Sequence, residues 1–167
     1  MGRSRLAQVA LLVSLAGLAG LALAVPQAKV DRTGRVTLEV GTDSRAMIFD
    51  RTELTVPAGA TVTVVFRNNL RSTPMPHNWV LVRPGNEQDV AEAGRKAGLK
   101  SDFLQRGDAR VIAATPLTAP GGQRSVTFVA PAPGSYPYIC TFPGHYLVMR
   151  GTLRVTPVSP PHVAASR

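Results

Sequence analysis

The stretch Cys140-Thr-Phe-Pro-Gly-His145-Tyr-Leu-Val-Met149 holds three kinds of metal-binding side chain. It carries the only cysteine of the chain, one of its three histidines and one of its four methionines. Four residues separate Cys140 from His145, and three separate His145 from Met149. A second histidine, His77, stands upstream in Met75-Pro76-His77-Asn78-Trp79. Two imidazoles, a thiolate and a thioether are the donor set of a mononuclear copper centre. Soft sulfur suits Cu(I), imidazole suits both copper states, and a weak axial thioether leaves an ion free to cycle between them. The pattern implies a site for one copper ion (Cu2+/Cu+), with His77, Cys140, His145 and Met149 as ligands.

Such a site needs a rigid frame. A loop between two adjacent strands brings Cys140, His145 and Met149 around one point, and His77 then comes from a neighbouring strand. Pro143-Gly144 turns the chain between thiolate and imidazole. Asn78 and Thr141 are placed to bond backbone near the site and hold the loop closed. The carbonyl of Pro76 is expected to face the metal from the side opposite Met149. Phe142, Trp79 and Met75 are expected to keep water out.

The rest of the chain supplies that frame. Alternating or β-branched runs predict strands at 35–40, 46–49, 54–56, 61–66, 77–82, 110–114, 124–129, 135–140 and 151–155. Within Asn86 to Leu99, Glu87, Gln88, Ala91, Glu92, Ala93, Lys96 and Ala97 favour helix, and one helix is predicted over about 88–98 with an added turn at 101–104. Frequent turns with low aromatic content argue for an all-β fold, a Greek-key β-sandwich of seven to eight strands with one short inserted helix. The expected organisation is a signal peptide or membrane anchor over 1–24, a connector over 25–34, the sandwich domain over 35–156 and a disordered Pro-rich tail over 157–167.

Arg3 and Arg5 precede an apolar run from Leu6 to Val25, and Ala22-Leu23-Ala24 has the small residues of a cleavage site. The run is also long enough to span a bilayer, so retention as an anchor stays open. Either outcome places the domain outside the cytoplasm, in the periplasm or on the outer membrane face. Cys140 has no cysteine partner, and an unpaired thiol in an oxidising compartment is explained by metal ligation. The net charge is +9, or +7 once Arg3 and Arg5 leave with residues 1–24. The cations are scattered without interleaved aromatics, which argues against nucleic acid. A basic surface steers a protein toward acidic redox partners or anionic lipid head groups.

With these residues in view, the chain resembles the plastocyanin/azurin family of cupredoxins, most of all its azurin and auracyanin branch. Cys140 to His145 followed by Met149-Arg-Gly-Thr-Leu is similar to the ligand loop of that branch. Met75-x-His77-Asn78-Trp79 is similar to its first-histidine strand. The likeness covers about residues 35–156. It implies the four ligands above and electron exit through an exposed edge of His145. The apolar patch expected around that edge is Met75, Pro143, Gly144, Tyr146 and Leu147. Three features depart from the azurins: Pro76 stands where they usually carry glycine, their disulfide has no counterpart, and Tyr146 replaces a smaller residue.

The leading reading is a monomeric one-electron carrier between unidentified redox proteins, and not an enzyme. A copper carrier or chaperone without an electron-transfer role is the alternative. Oxidases and nitrite reductases need further copper sites, and only His162 is left to supply one.

Overall fold

A computed structural model of the protein describes residues 29–30, 34–70 and 74–158. The apolar run Leu6 to Val25, most of the expected connector, His162 and residues 159–167 lie outside them. Among the described residues no helix is long and apolar enough to cross a membrane.

Among the described residues nine strands form two sheets. The first has the order β1 (Lys29–Val30), β2 (Arg35–Gly41), β4 (Thr61–Arg67), β7 (Gln123–Val129). The second has the order β3 (Glu53–Pro57), β9 (Arg150–Thr156), β8 (Gly134–Ile139), β5 (Val80–Val82), β6 (Val111–Ala114). The chain crosses between sheets after β2, β3, β4, β6 and β7. Those crossovers make β2 and β4 parallel neighbours, as they do β3 and β9, while the other pairs are antiparallel. This is the Greek-key sandwich expected, with one two-residue strand added inside the stretch read as a connector.

Period-two alternation builds the core. Val36, Leu38 and Val40 of β2 and Val62, Val64 and Phe66 of β4 point inward, against Leu54, Val56, Leu153 and Val155 of the facing sheet. Trp79, Leu81 and Tyr138 fill the end of this core nearest Cys140. β5 is buried on both faces, because helix α1 (Glu87–Ala97) covers its outer side. Val80, Val82 and Ile139 meet Val90 and Ala91 there in a second, smaller cluster.

Two predicted strands are corrected. Residues 46–49 form no strand: the Asp43 carboxylate accepts from the backbone N–H groups of Arg45 and Ala46 at 2.7 and 2.9 Å, folding the segment into a side-chain-stabilised turn. Phe49 keeps only an isolated bridge to Thr42. The strand expected from His77 begins at Val80, and His77 itself makes an isolated bridge to Thr118.

Candidate metal centre

His77 is held by backbone. Its N–H donates to the Thr118 carbonyl at 3.1 Å and its carbonyl accepts from the Thr118 N–H at 2.7 Å. Two residues on, the Trp79 N–H donates to Thr115 Oγ1 at 3.0 Å. Beneath this segment lies a residue that in the sequence reads only as a strand end. Asn68 is fully buried, and its Nδ2 donates to the carbonyls of both Met75 and Thr118 at 2.9 Å. It joins the His77 segment to the segment that bridges it.

Cys140 follows β8 directly, and Met149 immediately precedes β9. The hydrogen bond from the Cys140 N–H to the Met149 carbonyl, 3.0 Å, closes the base of the loop between them. Gly144 takes the left-handed conformation, φ 82°, that the turn after Pro143 requires. A short 3-10 helix, His145–Leu147, follows. The Met149 N–H then donates back to the His145 carbonyl at 2.7 Å, so thioether and imidazole residues are fixed to each other through backbone.

Asn78 ties the two halves together. Its Oδ1 accepts from the Thr141 N–H at 2.9 Å, and its Nδ2 donates to Thr141 Oγ1 at 2.8 Å and to the Asp102 carbonyl at 3.1 Å. The last bond recruits the segment after α1. Asp102 and Phe103 there adopt positive φ without being glycine, 56° and 50°, a costly conformation that surrounding contacts must hold. Gly94 of α1 lies so close that a methyl group on it would run into the Phe103 carbonyl. Phe103 packs edge-on to Phe142, ring centroids 5.1 Å apart, and Phe142 lies 4.5 Å from the His145 ring. The inserted helix therefore braces the site, through residues that the sequence did not single out.

The donors converge. Cys140 Sγ lies 3.8 Å from His77 Nδ1 and 3.7 Å from His145 Nδ1, and the two Nδ1 atoms are 3.2 Å apart. A triangle with these sides has a point about 2.1 Å from all three corners, which is a metal–imidazole bond length and close to a metal–thiolate one. All three residues are buried, as is Met149.

Electrostatics suits a metal. Burial, and secondly the neighbouring His145, pushes the His77 imidazole down to about 4, and burial also lowers His145. Both rings are thus neutral donors at ordinary pH. Burial pushes the Cys140 thiol up to about 11. A metal ion must displace that proton to bind, as thiolate ligation requires. His77 Nε2 is buried with no hydrogen-bond partner among the described residues, which leaves Nδ1 as the atom with a task.

The structure is less open at the surface than expected. His145 is only 4% exposed. Gly144 and Leu147 are exposed, Met75 and Pro143 half-buried, and Pro76 half-buried beside His77. Tyr146 turns inward, packs against the cluster under α1 and lines a cleft with Leu147. Val148, 50% exposed, joins the patch, an addition to the residues expected from the sequence.

A buried triangle of two imidazole nitrogens and one sulfur, at one end of a Greek-key sandwich, defines a cupredoxin. Residues 36–156 match the copper-binding proteins of the plastocyanin/azurin family, and the chain belongs to that family. It is 46% identical over 125 residues to auracyanin-A of Chloroflexus aurantiacus, spanning 74% of this chain and 76% of that one. It is 38% identical over 120 residues to azurin iso-2 of a Methylomonas species, 68% of this chain and 93% of the relative. The structure of auracyanin A, a blue copper protein of a green thermophilic photosynthetic bacterium, superposes with TM-score 0.69 over 74% of this chain and all of that one. Dithionite-reduced auracyanin of Roseiflexus castenholzii, 41% identical, gives 0.68 over 72% and 97%.

Proposed function

We propose that the protein is a blue-copper electron carrier working between redox proteins outside the cytoplasm. The observation that carries this reading is the closed donor triangle, buried and already at metal-binding dimensions. His77, Cys140 and His145 would hold the ion, with the buried Met149 thioether as the fourth donor. Copper bound there supplies a centre that accepts and returns one electron. The chain's own part is to keep that centre still and dry. Backbone bonds fix His77 and close the Cys140–Met149 loop, while Trp79, Phe142 and the inserted helix shut out water. A fixed geometry, acceptable to both oxidation states, limits the rearrangement that each transfer requires. Electrons would leave by the nearly buried edge of His145, through the patch of Met75, Pro143, Gly144, Leu147 and Val148, with Tyr146 turned inward behind it. A metal-delivery role fits less well, since handing over an ion favours open, exchangeable donors.

The test is to titrate the purified chain with Cu(II), follow visible absorption and electron paramagnetic resonance, and then add ascorbate. One copper per chain, an intense blue band and narrow hyperfine splitting, bleached by ascorbate and restored by an oxidant, are expected. Colourless Cu(II) binding, or Cu(I) that exchanges readily with a chelator, would overturn the carrier reading in favour of metal delivery.

A further inference from the structure

The rings Phe103, Phe142 and His145 form a continuous contact from the segment after α1 to one corner of the donor triangle. The segment that carries Phe103 is rich in cations along the chain. Between residues 95 and 107 the chain carries Arg95, Lys96, Lys100 and Arg106 against a single acid, Asp102. Two of the three lysines of the chain are among them. Arg95 pairs with Glu92 at 3.0 Å, but Lys96, Lys100 and Arg106 have no ion pair among the described residues. Lys100 and Arg106 line one surface cleft of about 460 Å³ together with Asp102 and with Asp108, whose carboxylate is engaged by Arg110 at 2.8 Å. Leu99, 64% exposed, stands between the lysines as an apolar anchor.

The helix itself does not account for this arrangement. Cations in a last turn offset the partial negative charge of a helix C-terminus, and that explains Arg95 and Lys96. The effect fades within the final turn, so it does not reach Lys100 or Arg106, which lie beyond Gly98. Nor does the helix need an exposed leucine at its exit. An exposed apolar residue flanked along the chain by lysines that have no ion pair among the described residues is instead the composition of a surface for a short-lived, electrostatically steered complex. Lysine serves here because its charge is a hydrated point on a mobile stem, which attracts at range without locking into one geometry.

We propose that the end of α1 and the turn after it form a docking surface for a redox protein with an acidic face, and that the Phe103–Phe142 contact links this surface to His145. The surface differs from the patch of Pro143, Gly144 and Leu147. One partner can occupy each, so a donor and an acceptor need not compete for the same face. The inference rests on the electron-carrier reading for its purpose, though not for its test.

The experiment measures binding of the full chain, metal-free and copper-loaded, to an acidic c-type cytochrome by calorimetric titration over a salt series. Two double variants are compared, Lys96→Glu/Lys100→Glu and Arg35→Glu/Arg154→Glu. They change the net charge equally, so a difference between them reports location. At low salt the lysine pair is expected to weaken binding at least about tenfold, within the range electrostatic steering commands, and the arginine pair less than about twofold. The gap should close near 1 M salt, where screening cuts the range of attraction to about 3 Å. Leu99→Ser should weaken binding at high and low salt alike. Equal weakening by both charge pairs, or no effect of Leu99→Ser, would overturn the docking surface. Stopped-flow oxidation of the loaded chain by hexacyanoferrate tests the carrier reading separately. Failure of that reaction with docking intact would overturn the carrier reading and leave the surface standing.

Discussion

His77 and His145 reach the same point from opposite kinds of structure. His77 belongs to the sandwich: its own backbone is bonded to Thr118, that of Trp79 to Thr115, and Asn68 locks the segment from below. His145 belongs to a loop that hangs between β8 and β9, closed by one backbone bond at its base and one 3-10 turn at its tip. The first half of the site is as stable as the fold. The second half depends on contacts with others, through Asn78 to the His77 side and through Phe142 to Phe103. A loop on a rigid platform leaves one histidine set by the sandwich and the other set by the loop's own contacts.

The largest effect that tests this contrast is the loss of the thiolate. Cys140→Ser should abolish the intense blue absorption of the copper-loaded chain, because no other sulfur of that kind exists to replace it. A surviving strong band would remove Cys140 from the donor set.

The two asparagines come next. Asn68→Leu removes the Asn68 donor from the Met75 carbonyl and leaves the Thr118 carbonyl with only the His77 N–H, and should lower unfolding free energy by about 2–3 kcal/mol, measured by urea denaturation of the metal-free chain. Asn78→Ala should cost less, about 1–2 kcal/mol, but accelerate copper loss to a chelator more than Asn68→Leu does. The reverse ranking of copper loss would show that the platform, not the loop, governs retention of the ion.

Acid should act on the platform side. His77 is held at about 4 in the fold against 6.5 for an ordinary histidine. The unfolded chain therefore takes up a proton first as pH falls, and this contribution to stability, complete above 6.5, is lost progressively down to about 4. Metal-free wild type should lose more stability across that window than His77→Gln does, by thermal unfolding at matched ionic strength. Parallel curves would show that His77 is not the group responsible.

The smallest effect belongs to the loop tip. Leu147 is 62% exposed, and Leu147→Ala should change stability by no more than about 0.5 kcal/mol. Its effect should appear instead as slower self-exchange of the loaded protein, read by nuclear magnetic resonance line broadening.

The sequence made some of this legible and hid the rest for physical reasons. Cys140, His145 and Met149 lie close along the chain, so residue type and spacing brought them to notice, and the structure gathers His77 to the same point. β2, β4, β7 and β9 announced themselves by alternation, since one face of β2, β4 and β9 is buried and one face of β7 half-buried. Asn68 gave no such signal, because its partners are backbone carbonyls seven and fifty residues away. Phe103 looked like part of a helical turn; only its αL backbone and its contact with Phe142 show what it braces. Ala46 to Phe49 reads as a strand by composition, yet Asp43 captures its backbone N–H groups and a local turn prevails over β propensity.

The position of β9 has a consequence for the order in which the molecule comes together. It is the last strand of the described chain, yet it lies inside its sheet, with β3 on one side and β8 on the other. Its parallel pairing with β3 joins residues about a hundred positions apart, such as Leu54 and Leu153. Contacts of such long range come late and slow the folding of sandwiches. Until β9 inserts, the sheet is split, and the loop that begins at Cys140 has no second anchor. A ribosome that still holds the C-terminal strand thus also holds the metal site open, and the loop gains its second anchor only in the same event that completes the sheet.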